Sequence, residues 1–386
     1  MTLHLNIKGY ESSPLLLLIM KTLKIVQPYF FSRAKKTIQN RTVLAAMTNK
    51  QSHENGVISD DEINWLTERA KGGFGIITTA AANVSKEGKA WEGEFGVYDN
   101  YHIPNLKKLT NTIHLTDSLV LAQLFHGGIR SPQKITGSIP LSASSLDCDE
   151  SFTGKCKSAS QNDIKKIIDD FTASAIRCVE SGFDGIELHG AHGYLLSQFL
   201  GKKTNLREDS WGGTLENRAQ LLIDIFQSIK KNVPESFIMG IRLSPEIDSM
   251  GIELNESIKL IGMLRKLDID FIHLSCWDVF SKSISFPDDN RTLTQIITES
   301  YNKLPTIIST GGVWSSVDAQ NLLKQGADLV GVGRVAIGHP YWANNISNIN
   351  YNPKKPPFTV KELEQAKLNH TFISYMKNWN NFVVEK

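Results

Sequence analysis

The chain has 386 residues, 41% of them hydrophobic, enough to build the core of one (β/α)8 barrel or of two medium domains. With Lys+Arg 42 against Asp+Glu 40, well mixed, the net charge of +2 argues against nucleic acid or an anionic membrane as the main partner. Cys148, Cys156, Cys178 and Cys276 form no CxxC and no cluster, so reduced thiols in a cytoplasmic protein are expected.

In chain order, residues 1–22 read as an N-terminal extension, and Met20 is a second candidate start. The apolar run Pro14–Met20 falls far short of the roughly 20 residues of a membrane span. It also lacks the basic lead-in and small-residue cleavage site of a signal peptide. From Thr42 onward, short apolar runs alternate with helical patterns. The strand candidates are Thr42–Met47, Gly75–Thr79, Leu119–Phe125, Asp184–Leu188, Phe237–Leu243, Asp270–Ser275, Pro305–Thr310 and Asp328–Gly333. Helical patterns lie between them at about Asp60–Lys71, His102–Leu115, Asn162–Ser181, Leu215–Lys231, Glu256–Leu267, Thr292–Asn302 and Val317–Gln325. Ser160-x-x-Asp163 and Ser315-x-x-Asp318 read as capping boxes, and Thr214 as a cap. Such an alternation predicts an α/β fold, a single (β/α)8 TIM barrel over residues 23–350, with a C-terminal helical tail over 351–386. A Rossmann sheet would show GxGxxG after its first strand, and none is there. The long connections Met47–Asp60, Ala80–Tyr101, His126–Ser160 and Gly190–Thr214 all follow strands, which collects them on the carboxyl face.

The fourth strand ends in His189 and His192, with Tyr194 close behind. Three readings stay open for the histidines: loop hydrogen bonds, a zinc site, or paired donors to one substrate oxygen with Tyr194 as proton donor. No Cys or carboxylate stands at zinc-ligand spacing, so no metal is expected. Gly311 and Gly312 after strand seven, with Gly333 and Arg334 after strand eight, sit where such barrels bind phosphate. Arg242 near the end of strand five suggests an anionic ligand over the barrel mouth, or else a buried ion pair with a carboxylate such as Glu187. An isoalloxazine suits the first option: Gln123 bonds its amide edge, Arg242 balances charge on the reduced ring, and the phosphate site then points to FMN.

These motifs together resemble the Old Yellow Enzyme family of FMN-dependent NAD(P)H oxidoreductases, the ene-reductases. The likeness runs from Asn40-Arg41 to Pro340 through QLFHGG (123–128), ELHGAHGYL (187–195), GGTLENR (212–218), RLSP (242–245) and GVGR (331–334). It departs at Ala46, where the family usually has Pro, and at Gly201–Thr204 and Trp211. The resemblance implies that Ala45, Ala46, Met47, Thr48 and Ala80 contact FMN together with Gln123, Arg242, Gly312, Gly333 and Arg334. It also implies that His189 and His192 bond the substrate carbonyl, that Tyr194 donates the proton, and that NADH or NADPH is the reductant. The implied reaction is ping-pong reduction of the activated C=C bond of an α,β-unsaturated carbonyl compound. Trp277, after strand six, is a candidate roof for the substrate pocket or a packing residue. The alternatives are a flavin-binding protein with little activity and a flavin-free lyase or isomerase acting on a phosphorylated substrate. The expected partner is a small molecule, and the C-terminal helix is the candidate interface for a homo-oligomer.

Overall fold

The computed structural model describes residues 23–385, so the expected extension over 1–22 lies outside the described residues. Eight parallel strands close a barrel: β1 (Thr42–Leu44), β2 (Ile76–Asn83), β3 (Leu119–Phe125), β4 (Gly185–Gly190), β5 (Ile238–Leu243), β6 (Phe271–Ser275), β7 (Thr306–Thr310) and β8 (Leu329–Val332). They pair in chain order, and β8 returns to β1, with Val330 opposite Thr42. Every expected strand is present. β2 runs longer than expected and carries a register irregularity between Thr78 and Ala81.

The outer helices are α1 (Asp60–Lys71), α2 (Ile103–Ile113), α3 (Gln161–Glu180), α4 (Leu215–Asn232), α5 (Leu254–Leu264), α6 (Leu293–Glu299) and α7 (Ser316–Lys324). Ser160 and Ser315 form the expected capping boxes, and the Thr214 hydroxyl accepts from the N–H of Asn217. Among the described residues no helix is long and apolar enough to cross a membrane. All four cysteines are free thiols and buried.

Because side chains alternate along a strand, every second residue points into the barrel and the interior fills in layers. The floor is apolar: Val43, Ile76, Leu121, Ile238, Phe271, Ile308 and Leu329 form one cluster. Phe31, Ala34 and Ile38 join it from an antiparallel ribbon, Tyr29–Phe31 with Lys36–Ile38, that closes the amino end and that sequence patterning did not single out. Ion pairs fasten this plug: the Arg33 guanidinium to Asp270, and Lys36 Nζ to Asp184 Oδ1 at 2.5 Å. One layer up, the interior turns polar, with Gln123, Glu187 and His273 all buried.

The tail over 351–386 was expected to be helical, its helix a candidate interface for a homo-oligomer. It forms two, α8 (Val360–Gln365) and α9 (His370–Met376), broken where Lys367 takes φ +67°, and packs on its own barrel. Phe372 is fully buried and meets Trp65 of α1 edge-on, with centroids 5.5 Å apart. Removing a buried phenyl ring costs about 3–5 kcal/mol when the packing around it is integral to the domain. Urea unfolding of Phe372→Ala should show a loss of that size; a change within about 0.5 kcal/mol would show that the tail contributes little to the folded barrel.

Candidate active site

A cavity of about 630 Å³ opens at the carboxyl ends of the strands, where the long loops gather. The structure brings most of the expected residues to its wall: Ala46, Met47 and Thr48 after β1, Gln123 on β3, and Arg242 on β5. His189, His192 and Tyr194 line it after β4, and Gly311, Gly312, Gly333 and Arg334 line it at the ends of β7 and β8. Ala45 is not among the lining residues; its N–H continues the β1–β8 ladder to Val332 O at 2.9 Å. Ala80 is displaced as well. The irregularity in β2 inserts one residue, so Ala81, not Ala80, stands in register with Gln123 and faces the cavity, while Ala80 packs into the apolar core.

The three groups after β4 converge. The His189 ring lies 5.0 Å from those of both His192 and Tyr194, centroid to centroid. The Ala191 N–H donates to Nδ1 of His189 at 3.3 Å, which leaves the ring proton on Nε2. Nε2 of His192 is 2.7 Å from the Ser275 hydroxyl, and His192 holds φ +61°, a conformation rare outside glycine. Burial, then neighbouring His192 and Arg242, push the His189 pKa well below the imidazole range. His192 is pushed down by burial and by Arg242 and His273. Buried His189 is therefore a neutral ring with its proton on Nε2, whereas His192 is exposed to the cavity, where Arg242 and His273 still favour its neutral form. Burial raises the Tyr194 pKa against the pull of Arg130, so the phenol keeps its proton.

Arg130 was not anticipated. Its guanidinium stands 4.5 Å over the Tyr194 ring, and Nη1 donates to His192 O at 2.9 Å, so one cation clamps both ends of the motif. The chain signal is its place just after the QLFHGG stretch on the loop from β3. Trp91 closes another side, its N–H and that of Ala90 both donating to Glu94 Oε2. Tyr375, Met376 and Trp379 of the tail line the mouth. Trp277 is 73% exposed, stacks on Trp379 with centroids 6.2 Å apart, and lies under the Arg334 guanidinium. It stands at the rim, engaged with the tail. Tyr375 and Trp379 stand at helical i, i+4 spacing, the signal that the tail presents one aromatic face.

Arg242 does not pair with Glu187. Its Nη1 donates to Ala46 O at 3.0 Å, and its Nε is buried with no hydrogen-bond partner among the described residues. Glu187 is taken instead by Gln123 and His273. An unpartnered guanidinium N–H beside a cavity of this size fits an anionic ring system. The glycines fit a phosphate: Gly312 has φ +71°, and a Cβ there would come within 2.9 Å of Asp278 Oδ1. At Gly333 a Cβ would come within 3.1 Å of Met47 Sδ. The residues present therefore suit FMN. Among the described residues, no group of three or more His, Cys, Asp or Glu could hold a metal ion.

The sequence model of the NADH:flavin oxidoreductase / NADH oxidase family matches residues 25–352. A probable NADH-dependent flavin oxidoreductase, YqiG of Bacillus subtilis, is 35% identical over 326 residues, covering 82% of this chain and 86% of its own. NADH:acrylate oxidoreductase of Vibrio harveyi is 32% identical over 321 residues, covering 81% of this chain but 32% of its own, so there the likeness is to one part of a longer protein. The solved old yellow enzyme homologue of Zymomonas mobilis superposes with a TM-score of 0.77 at 24% identity, covering 90% of this chain and 99% of its own, and supports the fold.

The loop after β1 is anchored by Glu62 of α1, whose carboxylate accepts from Asn49 Nδ2 at 2.8 Å and Ser52 Oγ at 2.5 Å. Burial raises its pKa from 4.5 to about 7. A carboxyl whose folded pKa is raised stabilises the fold below its unfolded pKa and loses that contribution as pH rises through the folded one. Between pH 4.5 and about 7 the wild type should thus lose about 3 kcal/mol that Glu62→Gln does not lose. Urea unfolding of both proteins at pH 5 and pH 8 checks this. A stability difference equal at both pH values would show that Glu62 is ionised throughout.

Proposed function

The chain belongs to the NADH:flavin oxidoreductase / NADH oxidase family of FMN-dependent NAD(P)H oxidoreductases, and from that premise we propose that it reduces the activated C=C bond of α,β-unsaturated carbonyl compounds. Bound FMN supplies two-electron exchange with the nicotinamide and with the substrate. The observation that carries the reading is the convergence of two imidazoles and a protonated phenol at a cavity that Arg242, in register with His189 on the next strand, also lines.

In this reading Gln123 and Arg242 bond the isoalloxazine. Ala46, Met47 and Thr48 lie along it, and Gly311, Gly312, Gly333 and Arg334 take its phosphate. Ala45 and Ala80 act one step back, through the backbone and the core. Nε2–H of His189 and the ring of His192, now bonded to Ser275, hydrogen-bond the carbonyl oxygen. Neutral donors aimed at the oxygen on which charge gathers stabilise the transition state most where water is excluded. Trp91, Tyr375 and Trp379 do the excluding. Tyr194 delivers the proton to the α-carbon, and the Arg130 cation over its ring stabilises the phenolate left behind. One donor cluster serves nicotinamide and enone in turn, which makes the kinetics ping-pong. Residues 23–350 form the catalytic barrel in this reading, and 351–386 the tail that shapes its mouth.

The purified protein should be yellow, bleach anaerobically with NADH or NADPH, and recolour with 2-cyclohexenone. His189→Ala with His192→Ala should slow recolouring by about 10²–10³-fold or more while bleaching persists. Tyr194→Phe should slow the enone step by about 10²–10⁴-fold. Bleaching with either nucleotide and no recolouring with any enone would leave a flavin protein of another substrate class.

A further inference from the structure

Directly beneath the cavity, four buried side chains from four strands form one hydrogen-bonded row across the barrel. Gln123 Nε2 donates to Glu187 Oε1 at 2.7 Å, His273 Nδ1 meets Glu187 Oε2 at 2.6 Å, and His273 Nε2 meets Thr310 Oγ1 at 2.6 Å. Glu187 is 1% exposed and His273 not at all. Barrel interiors of this kind are usually filled by Val, Ile and Leu, as the floor below is. A buried charge held by polar partners is seldom more stabilising than an apolar filling of equal volume. The row therefore calls for an account other than packing.

We propose that Glu187 and His273 are positioning residues for FMN: they set which atoms of Gln123 and Thr310 face the cofactor, and the charge of Glu187 sets its electron affinity. This rests on the assignment of the cavity to FMN. The polarity follows from donor counting. A carboxylate only accepts, so it holds the amide nitrogen of Gln123 and leaves Oε1 toward the cavity as an acceptor. It also holds Nδ1–H of His273. Burial pushes the His273 pKa down against the pull of Glu187, so the ring is neutral and Nε2 accepts. Thr310 must then spend its proton inward and present lone pairs to the cavity. Burial alone would raise the Glu187 pKa, but His273, Arg242 and Gln123 outweigh it and keep the carboxyl ionised.

The surroundings are cut to this row. Gly331 stands in register with Thr310, and a Cβ there would collide with Thr310 Oγ1 and come within 3.2 Å of His273 Nε2. Arg242 stands in register with both His189 and His273, so it lies between the reacting end and the row. The negative charge of Glu187 offsets that of Arg242; without it, the cation alone would face the ring and favour its reduced, anionic form.

The test uses the FMN-loaded protein and three variants, Glu187→Gln, His273→Leu and His273→Gln. The readouts are the midpoint potential of bound FMN against redox dyes, its visible spectrum, and its dissociation constant from fluorescence quenching. Glu187→Gln cannot accept from both Gln123 and His273, so it should raise the potential and weaken FMN binding about tenfold, the equivalent of one hydrogen bond of the stronger kind. His273→Leu strips the carboxyl of a donor, lets burial protonate it, and should shift the potential the same way. His273→Gln keeps a donor for Glu187 and an acceptor for Thr310, and should restore both values. Wild-type potential and spectrum in Glu187→Gln and His273→Leu would overturn the proposal. So would weaker binding with an unmoved potential, or a shift that His273→Gln leaves in place. If Glu187→Gln does not fold, the two His273 variants decide alone. A wild-type protein that takes up no FMN would overturn the cofactor assignment and this proposal together.

Discussion

The two-residue period of a strand, held in register around a closed barrel, is the constraint on which the rest of this molecule depends. It sends Leu121, Gln123 and Phe125 inward from β3, and Gly185, Glu187 and His189 from β4. Stacked around the ring, these positions become an apolar floor, a polar row and a cavity wall, in that order toward the carboxyl face. The one place where the period breaks, between Thr78 and Ala81, changes which alanine reaches the cavity.

Electrostatics follow from the layering. His189 is buried at the cavity wall, so desolvation leads there and favours its neutral ring, and burial likewise favours the protonated phenol of Tyr194. Two guanidinium groups, Arg130 and Arg242, then supply the positive field, and among the described residues no carboxylate is bonded to either. The carboxylates nearby are engaged elsewhere, Glu187 by Gln123 and His273, and Glu246 by Ser283 Oγ and the N–H groups of Ile284 and Ser285. The outcome is a wall of donors, suited to an electron-rich ring on one side and a polarised carbonyl on the other.

Loops and tail complete what the strands begin. Glu62 holds the first loop through buried hydrogen bonds and Glu94 the second through part-buried ones, and the tail brings Tyr375 and Trp379 over the opening. Trp277 stacks on Trp379 at the same rim. The opening of the cavity is thus built from loops and tail, above an interior built from the strands.

The eight strands and seven outer helices could be read from the chain, because apolar runs, caps and turn residues are local signals and parallel doubly covered strands carry them strongly. So could His189, His192, Tyr194, Gln123 and Arg242, since polar residues at strand ends have few packing uses. The amino-terminal plug was not legible: its two strands have three residues each, too short to show a period. Nor was the exchange of Ala80 for Ala81, which depends on a bulge set by the neighbouring strand. Glu187 bonds Gln123 and His273 instead of Arg242, and His273 lies 86 positions along the chain from that carboxylate. Sequence determines which groups a strand can offer; the closed barrel, by bringing distant strands within hydrogen-bond reach, decides which of them meet.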